Sequence, residues 1–385
     1  MPKVPIYRNP KLRATAYQVM LCAGLGVLAY AAVRNAAENL AHAKIASGFG
    51  FWNVVAGFDI SQTLIEYSSQ SSTFGRAFWV GLTNTLLVAG LGIIFATLLG
   101  TAIGVARLSK NFLVQRLASS YVELVRNVPL LLQLLFWYNA VLKALPDFAN
   151  GFVLPGGLLL NNRGLYMPRP LGVDGWHVAV VLVAAALLGY AFNTLAGRSA
   201  GAWRSTAVRF LVTLLIVIGA PVAAFLAMGA PLEFDYPQAG RFNVSGGLEV
   251  LPELVALLFG LVIYTAAFIA EVVRAGLMSV SHGQTEAAQA LGLRRMQTLR
   301  LIVIPQAMRV IIPPLTSQYL NLTKNSSLAV AIGYQDLVSV ADTTLNQTGQ
   351  AIEGIAVIMA VYLTISLSIS LFMNWYNAHI ALVER

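Results

Sequence analysis

The residues able to do chemistry in this chain are few, and most are polar groups set inside long apolar runs. Asn84 and Thr85, Gln133, Thr265, and the series Gln318, Asn321, Lys324 and Asn325 all sit in such runs. Together they offer acceptors for an ammonium and donors for a carboxylate, the two ends of a zwitterion. Hydrogen bonding between helices is the competing use of each group, and the favoured one for Thr85 and Thr265. Lys324 stands apart as a cation able to meet an acidic side chain or an α-carboxylate, whether of a solute or of a partner chain. Charged pairs form the second set: Glu123 with Arg126, and Glu271 with Arg274, each spaced i,i+3 so that on a helix the two partners share a face. A charge at the centre of a membrane helix costs about 2.5–3.5 kcal/mol on insertion scales, so such pairs are expected to neutralise one another. They read as ion pairs stapling span ends, with gating or direct contact with a solute as the alternatives.

Other chemistries lack their residues. His42, His177, His282 and His379 show no ligand spacing, and Cys22 is the one cysteine, so neither a disulfide framework nor a metal site is expected, and no cofactor. No Ser/His or His/Asp/Glu set converges as an enzyme requires. The phosphate-binding run G-x-x-x-x-G-K-[ST] is also missing, so the chain is not expected to bind ATP itself.

The elements that must hold these groups are membrane helices. Hydrophobic residues make up 57% of the 385 positions and charged ones 11%, against roughly a quarter charged in a soluble domain. The net charge of +9 does not point to nucleic acid, because the basic residues flank apolar runs rather than forming one patch. Eight stretches have the ~20 apolar residues a span needs: 15–33, 77–105, 119–142, 176–195, 208–229, 251–275, 304–327 and 352–375. Pro129 in the third, and Pro313 and Pro314 in the seventh, remove backbone donors and are expected to break or kink those helices. Such helices belong where protein or a cavity re-satisfies the freed carbonyls, that is, at a pathway.

The basic N-terminus followed by an apolar run reads as an uncleaved anchor. Counting Lys and Arg near the spans places both termini in the cytoplasm, with Lys3, Arg8, Lys11, Arg13, Arg107, Lys110, Arg116, Arg198, Arg204, Arg209, Arg294, Arg295, Arg300 and Arg309 inside. The chain then divides into an anchor helix and outer loop (1–76), a first core half (77–145), an insert with two extra helices (146–250) and a second core half (251–385). The outer segments 34–76 and 143–175, rich in Gly, Pro, Asn and Ser, read as ordered loops at best. The fold class is thus an all-α integral membrane protein of about eight spans. No inverted repeat shows in the hydropathy, although an ion-gradient-driven secondary transporter remains the rival reading.

The inner loop at 276–305 is the most informative segment. It contains Glu286-Ala287-Ala288-Gln289-Ala290-Leu291-Gly292, then nine residues, then Ile302-Val303-Ile304-Pro305. The first part predicts a short helix beginning after Gln284 or Thr285 and closed by Gly292 in a left-handed cap. Its face of three alanines and one carboxylate is small and smooth, suited to a groove on another protein. This pattern resembles the coupling-loop signature of ABC importer permeases, departing from it only in Ile304 for leucine.

Ser120–Leu131, with Tyr121, Glu123, Arg126, Pro129 and Leu130, resembles the histidine and glutamine permease branch. So do Tyr264–Gly276 and Lys324-Asn325-Ser326-Ser327-Leu328. Phe136-Trp137-Tyr138, Asn161–Tyr166 and the extended layout look most like the larger permeases of general L-amino-acid importers, near those for glutamate, glutamine, aspartate and asparagine. The resemblance implies a type I core of five spans, with the first span and the pair at 176–229 extra. It implies a bacterial inner-membrane location and no bond chemistry in this chain. It further implies a second homologous permease as heterodimer partner, two cytoplasmic ATPase subunits docked on the loop (Glu286, Ala287, Ala288, Gly292, Ile302, Pro305), and a periplasmic amino-acid-binding protein.

Overall fold

The computed structural model describes residues 10–42, 48–170, 175–196, 206–227, 234–240 and 244–380. The apolar runs become helices: α1 (Pro10–His42), α2 (Phe74–Ala106), α3 (Phe112–Asn127), α4 (Leu130–Leu135), α5 (Gly175–Ala196), α6 (Thr206–Ala227), α7 (Pro252–Met278), α10 (Ile304–Asn325) and α12 (Ala351–Ile380). Between or beside them lie the shorter α8 (His282–Ala290), α9 (Arg295–Thr298) and α11 (Leu337–Thr348). Five segments are long and apolar enough to cross a membrane: Arg13–Asn35, Phe74–Ala106, Pro252–Met278, Arg295–Ile332 and Ala351–His379. Shorter apolar helices at Leu130–Leu142, Ala184–Ala196 and Val212–Ala223 fall on the remaining three expected stretches.

The chain folds into two compact units. The first comprises residues 1–137 and 256–385. Here α2 packs along α7, α10 and α11, and α10 lies against α12. Gly100 and Gly104 stand four apart on α2, opposite the buried Ala266 and Ala270 of α7. A Cβ at either glycine would come within 2.8 Å of a carbonyl oxygen, of Ala266 or of Ala270. Small residues on both helices therefore let the backbones touch, which is how membrane helices gain packing when lipid offers no hydrophobic drive.

The expected third span is divided, and it begins earlier than the hydropathy suggested. Asn111 caps α3, its Oδ1 accepting from the N–H of Leu113 at 2.9 Å and of Val114 at 3.3 Å. Val128 is driven to extended geometry (φ −105°, ψ 127°) by the following Pro129, and a new helix starts at Leu130. The pair Pro313-Pro314 behaves differently: α10 runs through both.

The second unit spans residues 138–255 and holds the α5–α6 hairpin and small antiparallel sheets. Strands β1 (Phe152–Leu154), β2 (Leu158–Asn161), β3 (Gly164–Met167) and β8 (Leu248–Val250) form a sheet in the order β1-β2-β3-β8. Its register pairs Val153 with Leu159, Leu160 with Leu165, and Tyr166 with Glu249. Two-stranded pairs join β4 (Arg169–Pro170) to β5 (Phe234–Asp235) and β6 (Gln238–Ala239) to β7 (Val244–Ser245). The loop expected at 143–175 is therefore corrected, in its described residues, to include short strands, and further strands lie between Phe234 and Val250. The Gly, Pro and Asn signals mark their turns: Gly156 and Gly157 take φ of +85° and +77°, and the Asn161 side chain accepts from the N–H of Arg163 at 2.8 Å.

Candidate functional site

The loop after α7 folds as a discrete helix on a hinge of turns. Helix α8 begins at His282 with Ser281 as its cap, earlier than the start expected after Gln284 or Thr285. It ends as the sequence predicted. Gly292 takes φ +75°, its N–H donates to the Gln289 carbonyl at 2.9 Å, and the Leu293 N–H donates to the Ala288 carbonyl at 3.1 Å. These are the two bonds of a Schellman closure. Glu286 points to solvent and pairs with His282 of the preceding turn at 3.1 Å. Ala288 is buried and seats the helix, while Ala287 and Ala290 are exposed. Leu291 is 80% exposed and Met296 74%, so the loop presents large apolar groups beside small ones to whatever lies outside the chain. The Gln306 amide donates to Gln284 Oε1 at 3.3 Å, tying α8 to the start of α10. Ile302 and Pro305 are half-buried where a π-turn (Leu299–Val303) leads into α10, with Pro305 in its first turn.

Immediately before this loop lies a charged triad. Glu271 on α7 is bonded to Arg274 on its own helix, at 2.5 Å, and to Arg107, the residue that caps α2. Arg107 also reaches Ser119 of α3 at 3.4 Å, and Arg274 donates to the Met278 sulfur at 3.0 Å. One carboxylate therefore links three helices at the point where α7 enters the loop. Arg107 was readable from sequence only as a flanking basic residue. The other expected pair does not form: Arg126 stacks on the Phe268 ring, 5.1 Å from its centroid, and Glu123 is exposed. A cation over an aromatic face is a favourable arrangement in its own right, and Glu123 instead keeps to solvent.

The polar groups within the apolar helices separate into two sets. Asn84 is fully buried, and its amide donates to the carbonyls of Gln62 at 3.0 Å and Gln335 at 2.9 Å. Gln133 is buried and donates to the Val125 and Val128 carbonyls at 2.8 and 2.9 Å. Because Pro129 has no N–H, the Val125 carbonyl lacks its helical donor, and Gln133 supplies one. Thr85 donates to Gly81 O and accepts from the Leu337 N–H at 3.1 Å, the inter-element bonding favoured for it from sequence.

The second set lies on α10. Pro314, Ser317, Asn321 and Lys324 are exposed along one face, with Gln318 and Asn325 half-buried beside them. Among the described residues no side-chain partner serves Gln318, Asn321, Lys324 or Asn325. A polar stripe on a spanning segment cannot face hydrocarbon without large cost. It must meet another protein chain or an aqueous path.

At the end of α2 opposite Arg107 the structure holds a polar knot that the sequence did not mark. Asp336 is fully buried as the cap of α11, accepting from the Ser339 N–H at 2.9 Å and from the Tyr362 hydroxyl at 3.4 Å. Burial pushes its carboxyl up to about 7. Gln335 bonds Asp59 and Ser61, so residues 59–62 are clamped over this end of the helices. The run Asp-Leu-Val-Ser before an apolar helix was the available signal for the cap.

With this geometry in view, a family model described as "Binding-protein-dependent transport system inner membrane component" matches residues 92–382. The general L-amino acid transport system permease protein AapQ of Rhizobium johnstonii is 48% identical over 98% of this chain and 94% of that protein. The putative amino-acid ABC transporter permease protein YhdX of Escherichia coli is 49% identical over 98% and 97%. The glutamate/glutamine/aspartate/asparagine transport system permease protein BztB of Rhodobacter capsulatus is 43% identical over 92% and 90%. These likenesses do not favour a secondary transporter. The chain belongs to the inner membrane components of binding-protein-dependent transport systems, the permease family of ABC transporters.

Proposed function

We propose that this chain is the permease subunit of an ATP-driven importer carrying L-amino acids from periplasm to cytoplasm, with both termini cytoplasmic. The observation that carries the reading is the Glu286–Pro305 loop: a capped helix with a small-residue face and exposed Leu291 and Met296, set directly after the Arg107–Glu271–Arg274 triad. Two cytoplasmic ATPase subunits dock on this loop and on its counterpart in a second, homologous permease. A periplasmic binding protein delivers the solute. ATP favours one conformation of the permease pair only by its differential affinity for the two states, which reaches the spans through the docked loops. No bond is made or broken in this chain; hydrolysis occurs in the partner subunits.

The α10 stripe of Gln318, Asn321, Lys324 and Asn325 lines the pathway between the two permeases. Its amides serve a zwitterion as donors and acceptors, and Lys324 meets a carboxylate. The names of the similar permeases support amino acids as the class of cargo. Competition uptake with the twenty amino acids, in cells carrying the chain and its partners, tests the cargo. Inhibition by acidic amino acids and their amides is expected; uptake confined to sugars or peptides would defeat the assignment.

A further inference from the structure

Two adjoining clefts open at the Arg107 end of the spans, and no role above uses them. One, of about 320 Å³, is lined by Arg107, Leu108, Gln115, Ser119, Arg274 and Met278. The other, of about 170 Å³, is lined by Phe112, Gln115, Arg116 and Ser119. Gln115 and Ser119 are common to both, so the two form one groove along the first turns of α3.

The lining holds three guanidinium groups and no carboxylate. Glu271, behind the groove, is shared by Arg107 and Arg274 and offsets one charge of the three. The groove therefore carries a net charge of about +2 with a hydroxyl and an amide added, a set of donors matched to a phosphate oxyanion. Its rim is apolar. Of the lining residues, Leu108, Phe112 and Met278 are apolar and exposed.

The helix length fits this. Helix α2 has 33 residues, about 50 Å at 1.5 Å each. That exceeds the ~30 Å hydrocarbon thickness, so a charged end such as the Arg107 cap has the reach to sit in the headgroup layer. Helix α3, carrying large apolar groups beside Gln115 and Arg116, leaves that layer from the same place. A soluble anion has no use for the apolar rim, whereas an amphiphile uses both parts.

We infer that this groove binds the anionic phosphate headgroup of a membrane phospholipid, with the acyl chains laid along Leu108, Phe112 and Met278. Basic pockets of this kind between helices are suited to such headgroups. The inference stands apart from the transport reading and needs only that the chain is in a bilayer.

The test is native mass spectrometry of the purified full-length chain in mild detergent, titrated with short-chain phosphatidylglycerol, short-chain phosphatidylcholine or inorganic phosphate. Phosphatidylglycerol is expected to bind more tightly than phosphatidylcholine, and phosphate alone to bind far more weakly than either is retained at the groove. Arg116→Gln, an exposed position outside the triad, should weaken phosphatidylglycerol about five- to tenfold, the loss of one arginine near a charged headgroup. Gln115→Leu, which leaves every arginine in place, should weaken it less. Equal retention of the two lipids, or an unchanged Arg116→Gln variant, overturns the inference. Phosphate binding as strong as phosphatidylglycerol overturns it too, in favour of a soluble anion.

Discussion

Single residues here act mainly by satisfying what a neighbour lacks. Gln133 stands in for the N–H that Pro129 cannot offer. Gln133→Leu should cost about 1–3 kcal/mol, the price of buried carbonyls left unpaired, read as a lower thermal unfolding midpoint in detergent. Glu271 balances Arg107 and Arg274, whose side chains are largely but not wholly buried. Glu271→Gln is therefore expected to destabilise by about 1–3 kcal/mol, below the 3–5 kcal/mol of a fully buried pair, and to lower uptake more than it lowers membrane insertion. An unchanged midpoint together with normal uptake would show that the triad is ornamental. Asp336 sets a pH dependence. Its folded carboxyl is raised to about 7 by burial, so between the ordinary carboxylate range and pH 7 the unfolded chain ionises while the folded one stays protonated. The unfolded state then binds fewer protons, and stability falls as pH rises through that window. Asp336→Asn keeps an oxygen to accept from Ser339 and should flatten the fall, measured as unfolding midpoint against pH. Sequence paired Glu271 with Arg274, as the structure does, but showed neither its second partner Arg107 nor the carbonyls that Gln133 serves, since these come from another helix or from backbone.

At the scale of elements, the loop helix α8 was the most legible. Gly292 closes it in the left-handed geometry that its position implied, because a cap of this kind is a local matter of one residue's backbone freedom. Gly292→Glu forces a side chain into that geometry at a cost of about 1–2 kcal/mol and sets a charge beside Leu291. Uptake should be lost with membrane insertion intact, and the ATPase should no longer co-purify; Gly292→Asn, which tolerates the conformation, should retain most of both. Full ATPase recovery with normal uptake for the glutamate variant would remove the docking role. Three elements were not legible. Helix α11 has 12 residues between the seventh and eighth apolar stretches, too short for a spanning pattern. The sheet of the second unit is built of strands of three or four residues whose turn signals outnumber their alternation. The break at Pro129 was foreseen, but the continuity of α10 through Pro313 and Pro314 was not, because a proline pair inside a helix is decided by what covers it.

For the whole molecule, what lies outside the chain organises the remaining features. The α10 stripe is polar and exposed on a spanning segment, and the loop tip is apolar and exposed off it, each the reverse of what its surroundings would select in isolation. Both become reasonable in an assembly with a second permease and ATPase subunits. Lys324→Ala should therefore lower uptake of acidic amino acids more than of neutral ones while the complex still assembles; equal loss for both would move Lys324 from the pathway to a structural contact. Sequence by itself determined the membrane class, the eight apolar stretches, the capped loop and the family resemblance. All of these rest on local composition, periodicity or a contiguous motif. Only the tertiary structure decided that Glu271 joins Arg107 as well as Arg274, that Arg126 prefers Phe268 to Glu123, and that Asn84 and Gln133 are buried clamps while Gln318, Asn321, Lys324 and Asn325 share one open face. The reason is physical: a polar group in an apolar helix takes whichever partner the neighbouring backbone brings within about 3 Å, and that neighbour is set by long-range packing such as the glycine contacts of α2 with α7.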